Sequence, residues 1–155
     1  MADGSVRTIW LLHGVNLDML GARDPAHYGR LTLAQLESQV VDHGAARGYE
    51  VLCFQTNHEG DLVEKLHEIA REGAAALIVN AGAWTHYSYA IRDALELVDA
   101  PLAEVHLSAV EEREEWRRHS VIADLAVVRI SGKGPAGYAD ALNALVAALE
   151  AGGAS

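Results

Sequence analysis

A single cysteine, Cys53, is all the thiol chemistry this 155-residue chain offers. It cannot close an internal disulfide or form a thiolate zinc cage, and a reducing, cytoplasmic compartment is expected. Lysine is almost as scarce. Only Lys65 and Lys133 occur, and Lys65 falls inside an ordinary amphipathic pattern, so a Schiff-base mechanism is poorly supported. Positive charge is in deficit overall: 12 Lys and Arg against 22 Asp and Glu leave a net charge of −10 with His neutral. That argues against nucleic acid or an anionic membrane as the main partner. It does not exclude a small anionic substrate, because local arginines decide that. No apolar run reaches the roughly 18 residues of a membrane span, and the start Met1-Ala-Asp-Gly-Ser lacks a basic-then-apolar secretory pattern. The G-x-S-x-G elbow, the Walker P-loop and H-E-x-x-H are all absent. The eight histidines are scattered without ligand spacing, so no metal is expected.

What is present is a soluble-type composition, half hydrophobic, long enough for one domain. One domain over residues 1–155 is expected, with loose ends at about 1–5 and 151–155. Short apolar runs alternate with helical patterns. Strands are expected at 6–12, 49–54, 75–79, 102–107 and 125–130, and helices from Thr32 to Gly48, then at 59–71, 86–98 and 136–149. Thr32 with Gln35 forms a capping-box pattern. Such alternation implies βαβ units and a parallel sheet covered on both faces. Five strands in this length suit a flavodoxin-like three-layer sandwich with sheet order 2-1-3-4-5. In that fold, ligands bind beyond the carboxyl ends of the strands. The unusual residues fall there: Asn16 to Tyr28 after strand 1, Asn57-His58-Glu59 after strand 2, Asn80 to His86 after strand 3, and His106-Leu-Ser108 after strand 4.

Each cluster has a plain reading beside a chemical one. Glu104, His106 and Ser108 alternate onto one side of a strand, so Glu104 can fix the tautomer of His106 and raise its basicity; alternatively His106 is a hydrogen-bonded strand-end residue. The stretch 110–120 reads as a helix with Arg113 and Arg117 on one face, either receiving an anion or simply solvated. Arg23 and Tyr28 share one loop. A free phenol titrates near ~10, and a guanidinium close by would lower that enough for Tyr28 to act as a general base; otherwise Tyr28 packs as an anchor. Asn16 can hold a water or an oxyanion, or mark a turn. Asn80 and the amides of 80–86 can receive a carboxylate, while Thr85 alone reads as a helix cap. Asp93, seven residues after His86, reads as two turns along the same helix and as the partner of Arg92 or of another chain. Gly132-Lys-Gly-Pro-Ala-Gly137 matches G-x-G-x-x-G, yet it opens the last helix with no strand to follow, so a tight turn is expected rather than a dinucleotide site. Four polar clusters converging on one rim are less expected by chance than any one of them.

In this order, the clusters resemble the type II 3-dehydroquinate dehydratases. The resemblance runs from Ile9 to about Leu145. It rests on Gly14-Val-Asn16-Leu-Asp-Met-Leu-Gly21, Arg23-Asp-Pro-Ala-His-Tyr-Gly29, Phe54-Gln-Thr-Asn-His-Glu-Gly60, Asn80-Ala-Gly-Ala-Trp-Thr-His86, Arg92-Asp-Ala-Leu95, Glu104-Val-His-Leu-Ser108, Arg113-Glu-Glu-Trp-Arg-Arg-His-Ser120 and Gly137-Tyr138. It implies a cofactor-free, metal-free hydro-lyase that converts 3-dehydroquinate to 3-dehydroshikimate by anti elimination through an enolate. Tyr28 would be the base, its pKa lowered by Arg23. Asn16 would hold the water that stabilises the enolate, and His106, oriented by Glu104, would be the acid. Asn80 with the Leu107 and Ser108 amides would take the carboxylate, His86 and Arg117 the ring hydroxyls, and Arg113 would support the lid loop. Asp93 would reach in from a neighbouring subunit of a trimer, with trimers assembled into a dodecamer.

The chain departs from the family pattern. His13-Gly14-Val15-Asn16 stands where Asn-Gly-Pro-Asn is usual, Ala109 where an Asn usually follows the Ser, and Lys133 and Pro135 lie inside the last glycine motif. Ser120 is followed by Val-Ile-Ala-Asp rather than the common Tyr-x-Ser-Pro. His13 either adds a titratable group beside the enolate site or replaces a structural Asn. A paralogue acting on a related cyclic polyol carboxylate, a weakly active member, and a non-enzymatic flavodoxin-like module are the alternatives.

Overall fold

The computed structural model describes residues 7–22, 24, 26 and 30–153. Five strands, Thr8–His13 (β1), Glu50–Gln55 (β2), Ala76–Asn80 (β3), Leu102–His106 (β4) and Val128–Ser131 (β5), form one parallel sheet in the order β2-β1-β3-β4-β5. Among the described residues, four helices, Leu33–Ala46 (α1), Glu59–Glu72 (α2), Tyr89–Glu96 (α3) and Ala136–Gly153 (α4), cover its two faces. The layering follows from strand alternation. Ile9, Leu11, Ile78, Ala103 and Val105 point to one face, against Leu36 and Val40 of α1 and Leu142, Leu145 and Val146 of α4. Leu12, Leu77, Val79 and Leu102 point to the other, against Leu62, Leu66 and Ile69 of α2 and Ile91 and Leu95 of α3. The two central strands β3 and β4 are buried throughout, as parallel strands covered on both sides must be. The flavodoxin-like expectation and its strand order hold.

The Thr32 capping box is present in full: its hydroxyl accepts from the Gln35 amide at 3.2 Å while the Gln35 side chain accepts from the Thr32 amide at 3.0 Å. Close backbone approach explains Gly14, where a Cβ would lie 2.2 Å from the Ala81 carbonyl oxygen.

Three expectations need correction. Residues 110–120 are not a helix but two 3₁₀ turns, Val110–Glu112 and Glu115–Arg118, with Arg113 extended between them. Only Val110 is buried in the pair, so the stretch has no apolar stripe to hold a helix against the core. The third helix begins three residues late, because Gly82–His86 is a 3₁₀ turn and the cap is Ser88, whose Oγ accepts from the Ile91 amide at 3.1 Å. Thr85 is instead fully buried, its hydroxyl without a hydrogen-bond partner. Finally, β5 starts at Val128, because Ala123–Leu125 forms a further 3₁₀ turn.

Candidate active site

Beyond the carboxyl ends of β1, β3 and β4 lies a cleft. Asn16 borders it from the loop after β1, Asn80, Ala83 and His86 from the segment after β3, and His106, Leu107, Ser108, Arg113 and Arg117 from the segment after β4. The rim is therefore assembled by topology, from segments far apart in sequence. The cluster after β2 does not line the cleft; it props the first loop. Asn57 accepts the Asn16 amide at 2.8 Å and donates to Asp18 at 3.0 Å, and Gln55 donates to the Gly14 carbonyl at 3.2 Å. This holds Asn16 at a φ of 70°, the only non-glycine left-handed residue among those described.

The electrostatic centre is Glu104. It is fully buried in β4, where an isolated carboxylate would be very costly. It accepts three hydrogen bonds: from His106 Nε2 at 2.6 Å, from Ser120 Oγ at 2.7 Å and from Arg129 Nε at 2.9 Å. Burial pushes its carboxyl pKa up, but the His106, Ser120 and Arg129 donors outweigh burial and hold it below the usual carboxylate value. Glu104 is thus an anion at neutral pH, and an anion only accepts. His106 must therefore keep a proton on Nε2, and Nδ1 is the acceptor nitrogen of the neutral ring.

The sequence reading did not single out Arg129 or assign Ser120 a role. Arg129 sits opposite Glu104 in the β4–β5 register, a pairing that no spacing within the chain reveals. Its Nη1 also lies 3.7 Å from Glu111.

His86 is stacked beside His106, ring centroids 6.2 Å apart and planes inclined by 20°. Its Nδ1 donates to the His119 carbonyl at 2.7 Å, which leaves Nε2 as the acceptor of the neutral ring. Burial lowers the His86 pKa; the His119 carbonyl opposes this, and His106 and Arg117 reinforce it. Arg117 donates to Glu114 at 2.6 Å and lies 4.1 Å over the Trp116 ring, while Arg113 donates to Ser108 Oγ at 3.3 Å. The glycine-rich turn after β5 anchors this wall, with the Gly132 and Gly134 amides donating to the Ser108 and Leu107 carbonyls at 3.1 Å each. That is a turn's role, as expected for that motif.

Asp93 does not belong to this chain's cleft. It lines a separate surface depression with His67, Glu96 and Leu97. The expected Arg92–Asp93 pair is not what Arg92 makes; it engages Asp124 and Glu96 instead. Nor does Asp93 follow His86 along one helix, since His86 precedes Ser88, the cap of α3. Arg23 and Tyr28, the expected base and its cationic neighbour, lie outside the described residues.

Of the sequence departures, only Val15 borders the cleft. His13 is fully buried and bonded to Tyr138 and Glu37, so it replaces a structural residue rather than adding a group beside the substrate. Lys133 is exposed and paired with Asp140 at 2.9 Å.

A parallel β2-β1-β3-β4-β5 sheet, with a buried Glu–His pair and two arginines lining a cleft at its carboxyl rim, defines a flavodoxin-like α/β protein with a polar cleft. The sequence matches the model of the Dehydroquinase class II family over residues 7–146. A 3-dehydroquinate dehydratase from Pelobacter propionicus is 53% identical over 147 residues, covering 95% of this chain and 99% of that protein. One from Syntrophotalea carbinolica is 50% identical, covering 86% and 90% respectively. The crystal structure of a type II dehydroquinase from Butyrivibrio crossotus superposes with a TM-score of 0.87 at 39% identity, covering 92% of this chain and 99% of that one. The chain belongs to the class II dehydroquinase family, and is thereby an enzyme of the hydro-lyase class.

Proposed function

We propose that this enzyme dehydrates 3-dehydroquinate to 3-dehydroshikimate by anti elimination through an enolate. The observation that carries the reading is the buried Glu104–His106 pair, 2.6 Å apart at the wall of a cleft that Arg113 and Arg117 also line. Tyr28, assisted by Arg23, removes the C2 proton. Charge moves to the C3 oxygen, where a water held by Asn16 stabilises it. The C1–oxygen bond then breaks as His106 delivers its Nδ1 proton to the leaving hydroxyl; C1=C2 forms and water departs. Glu104 offsets the imidazolium charge before transfer and fixes the ring. Asn80 and the Leu107 and Ser108 amides take the carboxylate, His86 and Arg117 the ring hydroxyls, and Arg113 steadies the loop over the site. No cofactor enters this scheme.

Asp93 completes the site from a neighbouring subunit in a trimer, and trimers build a dodecamer. Exposed Tyr89 and Leu97, at 63% and 60%, flank Asp93 on the α3 surface, as expected of a face that meets another copy.

Solvent deuterium separates the two proton-transfer roles. His106→Asn should still exchange the C2 hydrogen of 3-dehydroquinate while dehydrating at least about 10²-fold more slowly. Tyr28→Phe should lose exchange and dehydration together. Loss of exchange in a folded His106→Asn variant, or its retention in Tyr28→Phe, would break the assignment.

A further inference from the structure

Behind the cleft, one path of hydrogen bonds runs from a surface helix to a pocket side chain. Glu37 on α1 faces His13 Nδ1 at 3.3 Å; His13 Nε2 meets the Tyr138 hydroxyl at 3.0 Å; the Tyr138 oxygen meets Asn80 Nδ2 at 2.9 Å; and Asn80 Oδ1 accepts the Gly82 amide at 3.2 Å. His13 and Tyr138 are fully buried, so no bulk water can substitute for a missing partner. Asn80 is also nearly buried and borders the cleft.

With the His13 ring neutral, the hydrogens on this path have one consistent arrangement. A backbone amide only donates, so the Gly82 contact fixes which Asn80 atom is oxygen. Nδ2 must then donate to Tyr138, so the Tyr138 hydroxyl must spend its own proton on His13 Nε2. That nitrogen is bare, and the proton sits on Nδ1, where the Glu37 carboxylate accepts it. Both ends, an amide and a carboxylate, demand the same direction. Burial raises the Tyr138 pKa, and Glu37 adds to that against the Asn80 donor; the phenol therefore stays protonated, as the arrangement requires. The same carboxylate and burial push the Cys53 thiol up to about 12, burial being the larger cause.

We infer that His13 and Tyr138 are positioning residues for substrate affinity: with Glu37 they hold the Asn80 amide so that its second Nδ2 hydrogen, and not its carbonyl, faces a carboxylate in the cleft. A reversed amide would set oxygen against oxygen. This rests on the reading that Asn80 binds the substrate carboxylate. The contact is present in ground and transition states alike, so its loss raises KM and leaves kcat little changed.

The test is steady-state kinetics on 3-dehydroquinate, with thermal melting alongside. Four variants are compared: Asn80→Ala, Tyr138→Phe, His13→Leu and His13→Asn. Tyr138→Phe keeps the ring and removes only the hydroxyl. Both it and His13→Leu should raise KM roughly tenfold or more, the scale of a hydrogen bond to a charged group, with kcat within about threefold. His13→Asn, whose side-chain oxygen can accept from Tyr138, should recover most of that loss. If Asn80→Ala leaves KM unchanged, the carboxylate reading of Asn80 fails. If Asn80→Ala raises KM while Tyr138→Phe does not, the relay fails and the Asn80 reading survives. Equal KM for His13→Leu and His13→Asn, with only the melting temperature moved, makes His13 a packing residue and overturns the inference. Should His13→Leu not fold, Tyr138→Phe decides alone.

Discussion

A carboxylate taken wholly out of water must be compensated by its neighbours, and Glu104 is compensated by three donors of different kinds. Removing one changes the others' task. Arg129→Leu leaves Glu104 with only Ser120 and His106, so its carboxyl pKa should rise toward the ordinary range. Activity that depends on ionised Glu104 should then fail at a higher pH on the acid side than in the wild type; coincident acid limbs in the two pH–rate profiles would contradict this. The sign for stability follows from the depressed carboxyl pKa. Glu104 contributes stability above its unfolded pKa and loses it as pH falls through the lower folded value. Acid unfolding of Arg129→Leu should therefore begin at a higher pH, which a circular dichroism titration reads directly. At this scale the sequence was half legible. The i, i+2 spacing placed Glu104 and His106 on one face, because strand geometry is local. Arg129, Ser120 and Tyr138 reach their partners through register and crossover, which spacing within one segment does not encode.

Local chemistry made most elements readable and failed where charge stood in for packing. The capping box at Thr32 defines the start of α1 because both of its hydrogen bonds lie within four residues. Thr32→Ala should cost about 1 kcal/mol without altering turnover, measurable by urea unfolding; a loss of several times that would mean the residue does more than cap. The 110–120 stretch misled because helical spacing of arginines says nothing without an apolar stripe behind it. Two 3₁₀ turns carry Arg113 and Arg117 along the cleft wall. At the end of β1, Gly14 admits no side chain beneath the Ala81 carbonyl. Gly14→Ala should destabilise by on the order of 3 kcal/mol and should also weaken catalysis, since the following residue in that strained turn leads into Asn16. Unchanged melting in that variant would show the loop to be more pliable than its contacts suggest.

Over the whole molecule, the sheet order does the assembling. Placing β1 between β2 and β3 gathers the loops after β1, β3 and β4 at one rim, which is why polar clusters scattered through the sequence could be read as one site. Asp93 lies away from its own chain's rim, on a separate surface beside exposed Tyr89 and Leu97, and the proposed trimer would bring it to a neighbour's cleft. Sedimentation velocity should therefore give a mass that is a multiple of three chains; a stable monomer with full activity would remove Asp93 from the site. All of this depends on one reaction, and the direct measurement is ultraviolet absorbance after adding 3-dehydroquinate to the purified protein. The account predicts the steady appearance of a conjugated enone carboxylate, abolished by Glu104→Gln or reduced about 10²-fold or more. Substrate that binds and produces no enone, or a Glu104→Gln variant as fast as the wild type, would contradict it.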